Sequence, residues 1–273
     1  MAIITISRQV AALGDEVAAT LAKKLGYKFI DRKYIENRIV ELGFPEEKMK
    51  KYDERKPGFF ASLVKDRDEY LDYLQTAILE TAKDGNCVLI GRGAFVVLEN
   101  VPNLIAVRFV AKDEIREERL MKEFDWNKKQ AQGRIAESDE NRKGFHKNFF
   151  NIEPDNPANY HLTLNTGILT VDESANAIAN LCKALITEEK EIAGEKKVQE
   201  LYQAQLVVNA LLFEHKVNVN FLRAVIDGEK LILQGVADSV AISEKAASLA
   251  REIMPDKTVE SCISIVQDFN TYP

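Results

Sequence analysis

The chain has 273 residues, of which 37 are basic and 43 acidic, so its formal net charge is −6. Hydrophobic residues make up 46% and charged residues 29% of the sequence, proportions typical of a soluble globular protein long enough for about two domains. The mild acidity excludes a dedicated nucleic-acid-coating protein, whose domains are usually strongly basic, but it permits binding of a small phosphorylated ligand.

The first two thirds of the chain alternate short apolar runs with longer amphipathic segments. The apolar runs predict strands at 2–6, 27–30, 87–90, 104–110 and 161–164. The amphipathic segments predict helices at 14–25, 32–42, 63–83, within 112–149, and at 171–186. Between them, the charged segment 46–60 predicts an irregular connection. Strands that alternate with helices predict an α/β fold with a doubly wound parallel sheet.

The last third of the chain has a different order of elements. The pattern predicts a helix near 198–212, strands at 217–226 and 230–236, a helix at 240–254 and a strand at 257–266. This αββαβ order, with Asp227-Gly228 as a hairpin turn, predicts a separate small α+β domain. We therefore predict a first domain at 1–187, a linker at 188–194 and a second domain at 195–273.

The carboxyl ends of the predicted parallel strands are where a doubly wound sheet binds ligands. The segment from Ser7 to Gly14 follows the first strand, at the place of a phosphate-binding loop. The motif G-x-x-x-x-G-K-[ST] is absent, because only Gly14 remains and Asp15 and Glu16 follow it. Two carboxylates in a first helical turn are also typical of a helix that binds no ligand, since they interact favourably with the positive end of the helix dipole.

Two further segments also allow either a ligand-binding or a purely structural interpretation. Gly91-Arg92-Gly93 directly follows the third strand, where an arginine can offer a planar fork to phosphate or can pair with a local acid. The charged stretch 116–147 can close over a polyphosphate as a lid, or it can form a solvated helical face with i,i+4 ion pairs.

Four segments together resemble one known family. They are Ile4-Thr-Ile-Ser-Arg8, Gly26-Tyr-Lys-Phe-Ile-Asp31, Val88-Leu-Ile-Gly-Arg-Gly-Ala94 and Leu164-Asn-Thr166. In this order and spacing, over about residues 1–186, the chain resembles the cytidylate kinase-like family of P-loop nucleoside monophosphate kinases. The resemblance implies a parallel five-stranded core with a mobile lid. It also implies Mg²⁺-dependent transfer of the terminal phosphoryl group of ATP to CMP or a related monophosphate.

The resemblance also implies roles for individual residues. Arg92 matches the arginine that holds the acceptor phosphate, and Asp31 lies where contacts to the acceptor ribose or base begin. Arg134, Asp139 and Arg142 fall where lid residues clamp the donor. We accordingly predict Arg92, Arg134 and Arg142 as catalytic residues, and no residue as a metal ligand. The predicted nucleotide-binding residues are Ser7, Arg8, Gly14, Asp31, Gly91, Gly93 and Asp139.

The phosphate loop departs from the family pattern, which reads roughly S-R-x-x-G-S-G-G-[KR]. This chain has Ala11 and Leu13 at two of the glycine positions and Asp15 at the basic position. A reversed charge beside the β- and γ-phosphates changes an interaction worth on the order of 4 kcal/mol at an effective dielectric near 20, which predicts a rate lower by several decades. Side chains at positions 11 and 13 further predict a loop that cannot wrap phosphate, even after Asp15→Lys.

Two interpretations of the function therefore remain open from the sequence. One is a kinase that uses ATP and Mg²⁺ and is weak or inactive because of its loop. The other is a non-catalytic nucleotide sensor or interaction protein on a kinase fold, with the second domain binding a ligand or partner. The second domain resembles a BON-type module in its αββαβ order and in Leu233-Gln-Gly-Val236. The expected partners are a small-molecule nucleotide and, as a candidate assembly, a second copy of the chain, but neither a nucleic acid nor a membrane.

Cysteine placement and the N-terminus bear on the compartment. Cys87, Cys182 and Cys262 form no C-x-x-C pair and lie in apolar stretches, so each is predicted to be a small buried hydrophobic residue. The N-terminus lacks the charged region of a signal peptide, and no apolar run approaches the roughly 18 residues of a membrane span. These features predict a cytoplasmic protein.

Overall fold

The computed structural model describes residues 2–49 and 64–266. The chain divides into two compact units, residues 1–196 and residues 197–273. The predicted linker at 188–194 is helical, because it forms the first turns of a helix at Glu188–Asn209. Its three glutamates lie in the first turn of that helix, where acidic side chains favour the helix dipole.

Five parallel strands form the sheet of the first unit within the described residues. They are β1 Ile3–Arg8, β2 Lys28–Ile30, β3 Cys87–Ile90, β4 Leu104–Val110 and β5 Leu162–Asn165. The strand order is β2-β3-β1-β4-β5, so β1 is central and pairs with β3 and β4. The predicted doubly wound parallel sheet is therefore confirmed, with strand boundaries within two residues of those predicted.

Helices connect these strands. They are α1 Gly14–Leu25, α2 Arg32–Glu41, α3 Glu46–Met49, α4 Val64–Ala82, α5 Ala94–Val97, α6 Asp113–Phe124, α7 Lys128–Phe150 and α8 Val171–Leu185. Helix α1 has the predicted bounds because Gly26 ends it in the left-handed conformation, with φ 69°. Of the segment predicted to be irregular, Glu46–Met49 is one helical turn, and residues 50–60 lie outside the described residues.

The core of the first unit lies between the sheet and helices α1 and α8. Alternate residues of β1 face it, Ala2, Ile4 and Ile6, together with Val17 and Leu21 of α1. Such burial of β-branched side chains fixes the register of the parallel strands. It thereby fixes the loops that leave the carboxyl ends of β1 and β3.

The second unit has the element order that the sequence predicts. After α9 (Glu188–Asn209) come a π-helical segment Ala210–Glu214, β6 Val219–Asp227, β7 Lys230–Ala237, α10 Val240–Ile253 and β8 Thr258–Ile265. Strand β7 is central, antiparallel to β6 and parallel to β8. Apolar residues from α9, the π-helical segment, α10 and one side of the sheet form its core, including Leu211, Leu231 and Ala250.

The three cysteines differ in environment. Burial raises the pKa of Cys87 to about 12 and that of Cys182 to about 11. The prediction of burial is wrong for Cys262, which is exposed. On its strand the buried side chains are Val259 and Ile263, so Cys262 occupies the opposite phase of the alternation.

Every helix in the described ranges is too short or too polar to cross a bilayer.

Candidate functional site

A pocket lies at the carboxyl ends of β1 and β3, beside helix α7. Its cavity volume is about 10 Å³, about enough for one water molecule, so a larger ligand has to displace some of its side chains. The lining residues are Ile6, Ser7, Arg8, Gly91, Arg92, Gly93, Phe95, Arg142, Phe145 and His146. Six predicted site residues thus come together from three separate parts of the sequence: Ser7, Arg8, Gly91, Arg92, Gly93 and Arg142.

Arg92 is the most buried cation of this pocket, with 2% of its surface exposed. Its Nη1 donates to the hydroxyl of Tyr70 over 3.2 Å, and its Nη2 donates to the Glu36 carboxylate. Burial, with smaller contributions from Arg32 and Arg8, lowers the pKa of Arg92 to about 9, so the guanidinium remains charged at pH 7. Glu36 balances that charge and also accepts from Arg32 Nε over 2.6 Å.

The backbone around Arg92 is unusual because residues 91, 92 and 93 all have positive φ, with φ 53° at Arg92. Glycine adopts this conformation freely, whereas an arginine costs about 1 kcal/mol there. At Gly93 the ring of Phe150 occupies the space that a Cβ would need. The glycines therefore let α7 approach the end of β3 closely, which brings Arg142 and His146 to the pocket.

Further side chains hold the pocket's polar groups in place. Ser7 Oγ accepts from Nη1 of Arg108 over 3.0 Å, and Arg108 also pairs with Asp155. Arg142 Nη1 donates to Ser138 Oγ over 2.8 Å. A hydroxyl and several guanidinium groups at one place favour an anion with several acceptor oxygens, such as a phosphate monoester.

The phosphate loop between β1 and α1 has the backbone shape that its missing glycines would favour. Ala11 has φ 57° and Leu13 has φ 51°, both in the left-handed region. That these side chains keep the loop from wrapping phosphate stays a prediction, but both residues adopt the left-handed conformation that glycine would adopt here. Each costs about 1 kcal/mol relative to glycine, a cost that contacts from outside the loop can offset.

Three side chains bind the loop from outside, each through one backbone carbonyl. Arg116 Nε donates to Val10 O over 2.9 Å, Arg119 Nη1 to Ala11 O over 2.9 Å, and Thr166 Oγ1 to Ala12 O over 2.9 Å. With three successive carbonyls fixed in this way, the backbone has little freedom to turn. In the described part of the chain, the amides of Val10, Ala11 and Leu13 donate to no protein acceptor. Amides left over in an alternating left-handed turn can bind an anion.

The end of the phosphate loop that leads into α1 carries negative charge. Gly14 has no room for a Cβ, which would lie 2.8 Å from Cβ and Cγ of Arg8. The Arg8 Nε in turn lies 3.3 Å from the Asp15 carboxylate. Asp15 and Glu16 are exposed residues of the first turn of α1. The loop backbone therefore fits phosphate, whereas the two carboxylates repel it.

Three predicted site residues have their side chains engaged elsewhere. Asp31 caps helix α2, because its carboxylate accepts from the Tyr34 amide over 2.7 Å. Both carboxylate oxygens of Asp139 accept from Arg116 Nη2, over 2.8 and 2.9 Å. Arg134 is 47% exposed and forms an i,i+3 pair with Glu137. None of the three lines the pocket, and their roles in nucleotide binding stay predictions.

Sequence reasoning missed several residues that organise the site. Glu36 and His146 carry no motif, since an acid and a histidine on separate helices reveal nothing of their neighbours. Arg116 and Arg119 lie in the charged stretch interpreted as a lid or a solvated face, yet both hold the phosphate loop. Many other charged residues in the same stretch conceal these two arginines. In the structure Arg116 is distinguished by burial, at 1% exposed, and Arg119 by its bond to the Ala11 carbonyl.

Comparisons with known proteins bear on the first unit. The model of the cytidylate kinase-like family matches residues 3–168. A cytidylate kinase of Methanocaldococcus jannaschii is 28% identical over 181 residues, which cover 65% of this chain and 96% of that protein. The crystal structure of an uncharacterized protein from Eubacterium ventriosum matches with a TM-score of 0.55 and 20% identity, over 67% of this chain and 98% of that one. The structural likeness supports the fold alone. Residues 197–273 lie beyond the family match, so their resemblance to a BON-type module stays a prediction.

Proposed function

Since this chain belongs to the cytidylate kinase-like family, with its P-loop kinase α/β fold, we propose that it transfers the terminal phosphoryl group of ATP to CMP or a similar nucleoside monophosphate. The observation that carries the proposal is the pocket in which Arg8, Arg92 and Arg142 meet the Ser7 hydroxyl. The carboxyl ends of β1 and β3, where this pocket lies, are the expected place for a ligand in a doubly wound sheet.

The acceptor phosphate would bind to these arginines. Arg92 is held by Glu36 and Tyr70, so its guanidinium loses little freedom when a ligand arrives. Phosphoryl transfer depends mainly on positioning and on stabilisation of charge rather than on covalent chemistry by the protein. The pocket supports both requirements on the acceptor side: its arginines would position the monophosphate, whose oxygen attacks ATP, and would stabilise its charge.

The donor phosphates would bind along the phosphate loop, whose amides at Val10, Ala11 and Leu13 fit them. Magnesium, when bound, would neutralise phosphate charge and would be held mainly by the nucleotide, since the described residues contain no cluster of three or more acidic, histidine or cysteine side chains for a metal ion. The carboxylates of Asp15 and Glu16 disfavour the polyphosphate. We therefore infer a slow kinase, whose weak point is its affinity for ATP rather than the shape of the loop.

A second candidate is a non-catalytic protein that binds a nucleotide monophosphate. The ion pair between Arg8 and Asp15 favours this candidate. A donor phosphate would need the Arg8 cation, and Asp15 already neutralises it. In this case the second unit would carry a ligand or a partner, and its response to the bound nucleotide would be the function.

The two candidates are distinguished by turnover and binding measured together. Steady-state assays with ATP, Mg²⁺ and each common monophosphate test transfer, and calorimetry with CMP tests binding. We expect measurable turnover that is highest with CMP. Binding of CMP without turnover for any acceptor favours the non-catalytic candidate. If CMP does not bind and no acceptor is turned over, both candidate functions are wrong.

Substitution Asp15→Lys is expected to lower the Kd for ATP about 30-fold. Asp15 is 61% exposed, so each unit of charge is worth about 1 kcal/mol at 4 Å in a water-like dielectric, and the change from −1 to +1 gives about 2 kcal/mol. The left-handed conformations of Ala11 and Leu13 support a gain from this single change, whereas the sequence alone predicts none. Titration calorimetry with a non-hydrolysable ATP analogue provides the measurement.

Asp172→Lys is a matched control for this gain. Asp172 lies in the first turn of α8, as Asp15 does in α1, and the substitution changes the net charge equally. We expect less than a twofold change in Kd for this variant. Equal gains in both variants, or none in Asp15→Lys, would exclude a local role for the Asp15 charge.

A further inference from the structure

The sheet of the second unit has two edges that differ in their protection. Strand β6 forms one edge, and a bulge between Asn220 and Arg223 interrupts its pairing with β7. Phe221, within that bulge, has φ 52°. Strand β8 forms the other edge and keeps an unbroken register with β7 from Thr258 to Ile265. Bulges are one of the devices by which proteins keep a sheet edge from pairing with another chain, so β6 is protected in this way and β8 is not.

The composition of β8 also differs from that of a protected edge. Its sequence is Thr-Val-Glu-Ser-Cys-Ile-Ser-Ile, without proline, lysine or arginine. Its one charged residue, Glu260, forms an ion pair with Lys230 of the neighbouring strand over 3.1 Å. Charged side chains and proline on an edge strand oppose pairing with a further strand. The side chains of β8 therefore permit such pairing.

The backbone of β8 shows which groups are available at this edge. Thr258 N donates to Glu229 O over 2.8 Å and Val266 N donates to Ala237 O over 3.0 Å, so the even-numbered residues of β8 bond to β7. In a regular strand the backbone groups of the odd-numbered residues point the opposite way, out of the sheet. Among the described residues, no second strand lies beside β8. The edge groups available to another strand are those of Val259, Ser261, Ile263 and Ile265.

We propose that β8 is a homodimer interface, in which it pairs antiparallel with β8 of a second copy of the chain and joins two three-stranded sheets into one of six strands. A second copy fits because a two-fold axis places odd-numbered residues of one strand opposite odd-numbered residues of the other, so the available edge groups face each other. The strands overlap most fully when the axis lies near their centre, at Ser261 or Cys262. In that arrangement the two Glu260 carboxylates are not opposite each other.

The elements next to this edge support the same pairing. Val259 and Ile263 point to the core side of β8, where each is 8% exposed. Across the proposed axis they approach the β-branched side chains of the second copy, and pairs of this kind stabilise a sheet. Helix α10 packs on β8, so the pairing also brings two copies of α10 side by side over the joined sheet.

Ser261→Pro tests the edge directly. The amide of Ser261 points out of the sheet, and proline is tolerated on an edge where the missing N–H would face solvent. Sedimentation of the wild type over a dilution series is expected to show a monomer–dimer equilibrium. Each hydrogen bond between the strands is worth up to about tenfold in affinity. Since the two-fold axis doubles the loss, the Kd of the dimer should rise about 100-fold in this variant.

Ser261→Ala is the matched control. Ser261 Oγ lies 2.9 Å from Ser243 Oγ of α10, and both substitutions remove that hydrogen bond, but alanine keeps the edge N–H. We expect Ser261→Ala to dimerise as the wild type does. Equal loss of the dimer in both variants would assign the effect to the hydroxyl contact and overturn the proposal.

Cross-linking provides a second test, which remains valid if Ser261→Pro does not fold. Cys262 is exposed, whereas Cys87 and Cys182 are buried. With the axis near the strand centre, the two Cys262 residues are opposite or diagonal neighbours, no more than about 7–8 Å apart. A short bismaleimide, which adds one thiol to each of its two double bonds, should therefore yield a covalent dimer. In a Cys262→Ser background, Asp227→Cys moves the exposed thiol to β6 and should give no such product.

The outcomes separate this edge from other surfaces and other partners. A dimer that Ser261→Pro weakens and that is cross-linked through Cys262 supports the proposal. A monomer at every concentration overturns it and leaves the edge to a different partner. A dimer that a folded Ser261→Pro variant retains, or one in which Cys262 is not cross-linked, also overturns it and assigns dimerisation to a different surface. These measurements do not depend on kinase activity.

Discussion

Arg92→Met should weaken CMP binding about 100-fold in a protein that remains folded. The guanidinium of Arg92 is buried and fixed by Glu36 and Tyr70. Removal of one member of a buried, hydrogen-bonded charge pair costs about 3 kcal/mol, which corresponds to about two decades in affinity. Arg92→Lys keeps the charge but loses the fork, so an intermediate loss of about tenfold is expected. Calorimetry with CMP measures both.

Arg38→Met is the control for effects on stability. Arg38 pairs with Glu80 on α4 over 2.5 Å and with Glu41, and it does not line the pocket. We expect its loss to lower the melting temperature without changing the Kd of CMP. A folded Arg92→Met protein with wild-type affinity would show that Arg92 only supports the fold.

Arg116→Met is expected to destabilise the first unit by about 3 kcal/mol. Arg116 is 1% exposed and donates to Val10 O, to Asp113 and to Asp139. Without it, Val10 O and the partly exposed Asp139 carboxylate lose their donor, and hydrogen bonds to a charged group are worth about 1.5–3 kcal/mol each. For a unit of this size the melting temperature should fall by roughly 6–12 °C. ATP affinity should fall too, because the Val10 carbonyl is released.

Arg134→Met provides the contrast, since it removes an arginine from the same stretch of charged helix. Arg134 is exposed and forms a 3.3 Å surface ion pair with Glu137, so its loss should change stability by less than about 0.5 kcal/mol. Calorimetric scans of the two variants make the comparison. Equal losses would mean that burial does not distinguish these arginines.

The strands and helices of the first unit were predictable because their signals are local. An apolar run bounded by turn residues defines β3, and Gly26 defines the end of α1. The site was predictable in part for a related reason. Ser7 and Arg8 end β1 and Arg92 follows β3 closely, and the parallel sheet brings the ends of those strands together.

The remaining features of the site depend on tertiary contacts that no local pattern contains. Asp31 stands at the end of β2, where both a ligand and a helix cap suit an aspartate, and the sequence does not distinguish the two. His146 becomes a pocket residue only because Phe150, on the same helix, packs against Gly93. The left-handed conformation of Leu13 is likewise absent from any local pattern, because contacts from distant residues outweigh the intrinsic preference of leucine.

The loop shape at Ala11 and Leu13 has a consequence for how kinase-like genes are recognised. A search that requires glycine at each turn of this motif assumes that the segment folds by its own flexibility. Here the same curve is imposed by Arg116, Arg119 and Thr166 from the outside. Chains rejected for lacking those glycines therefore merit a second inspection, in which buried arginines opposite the loop replace glycine as the criterion.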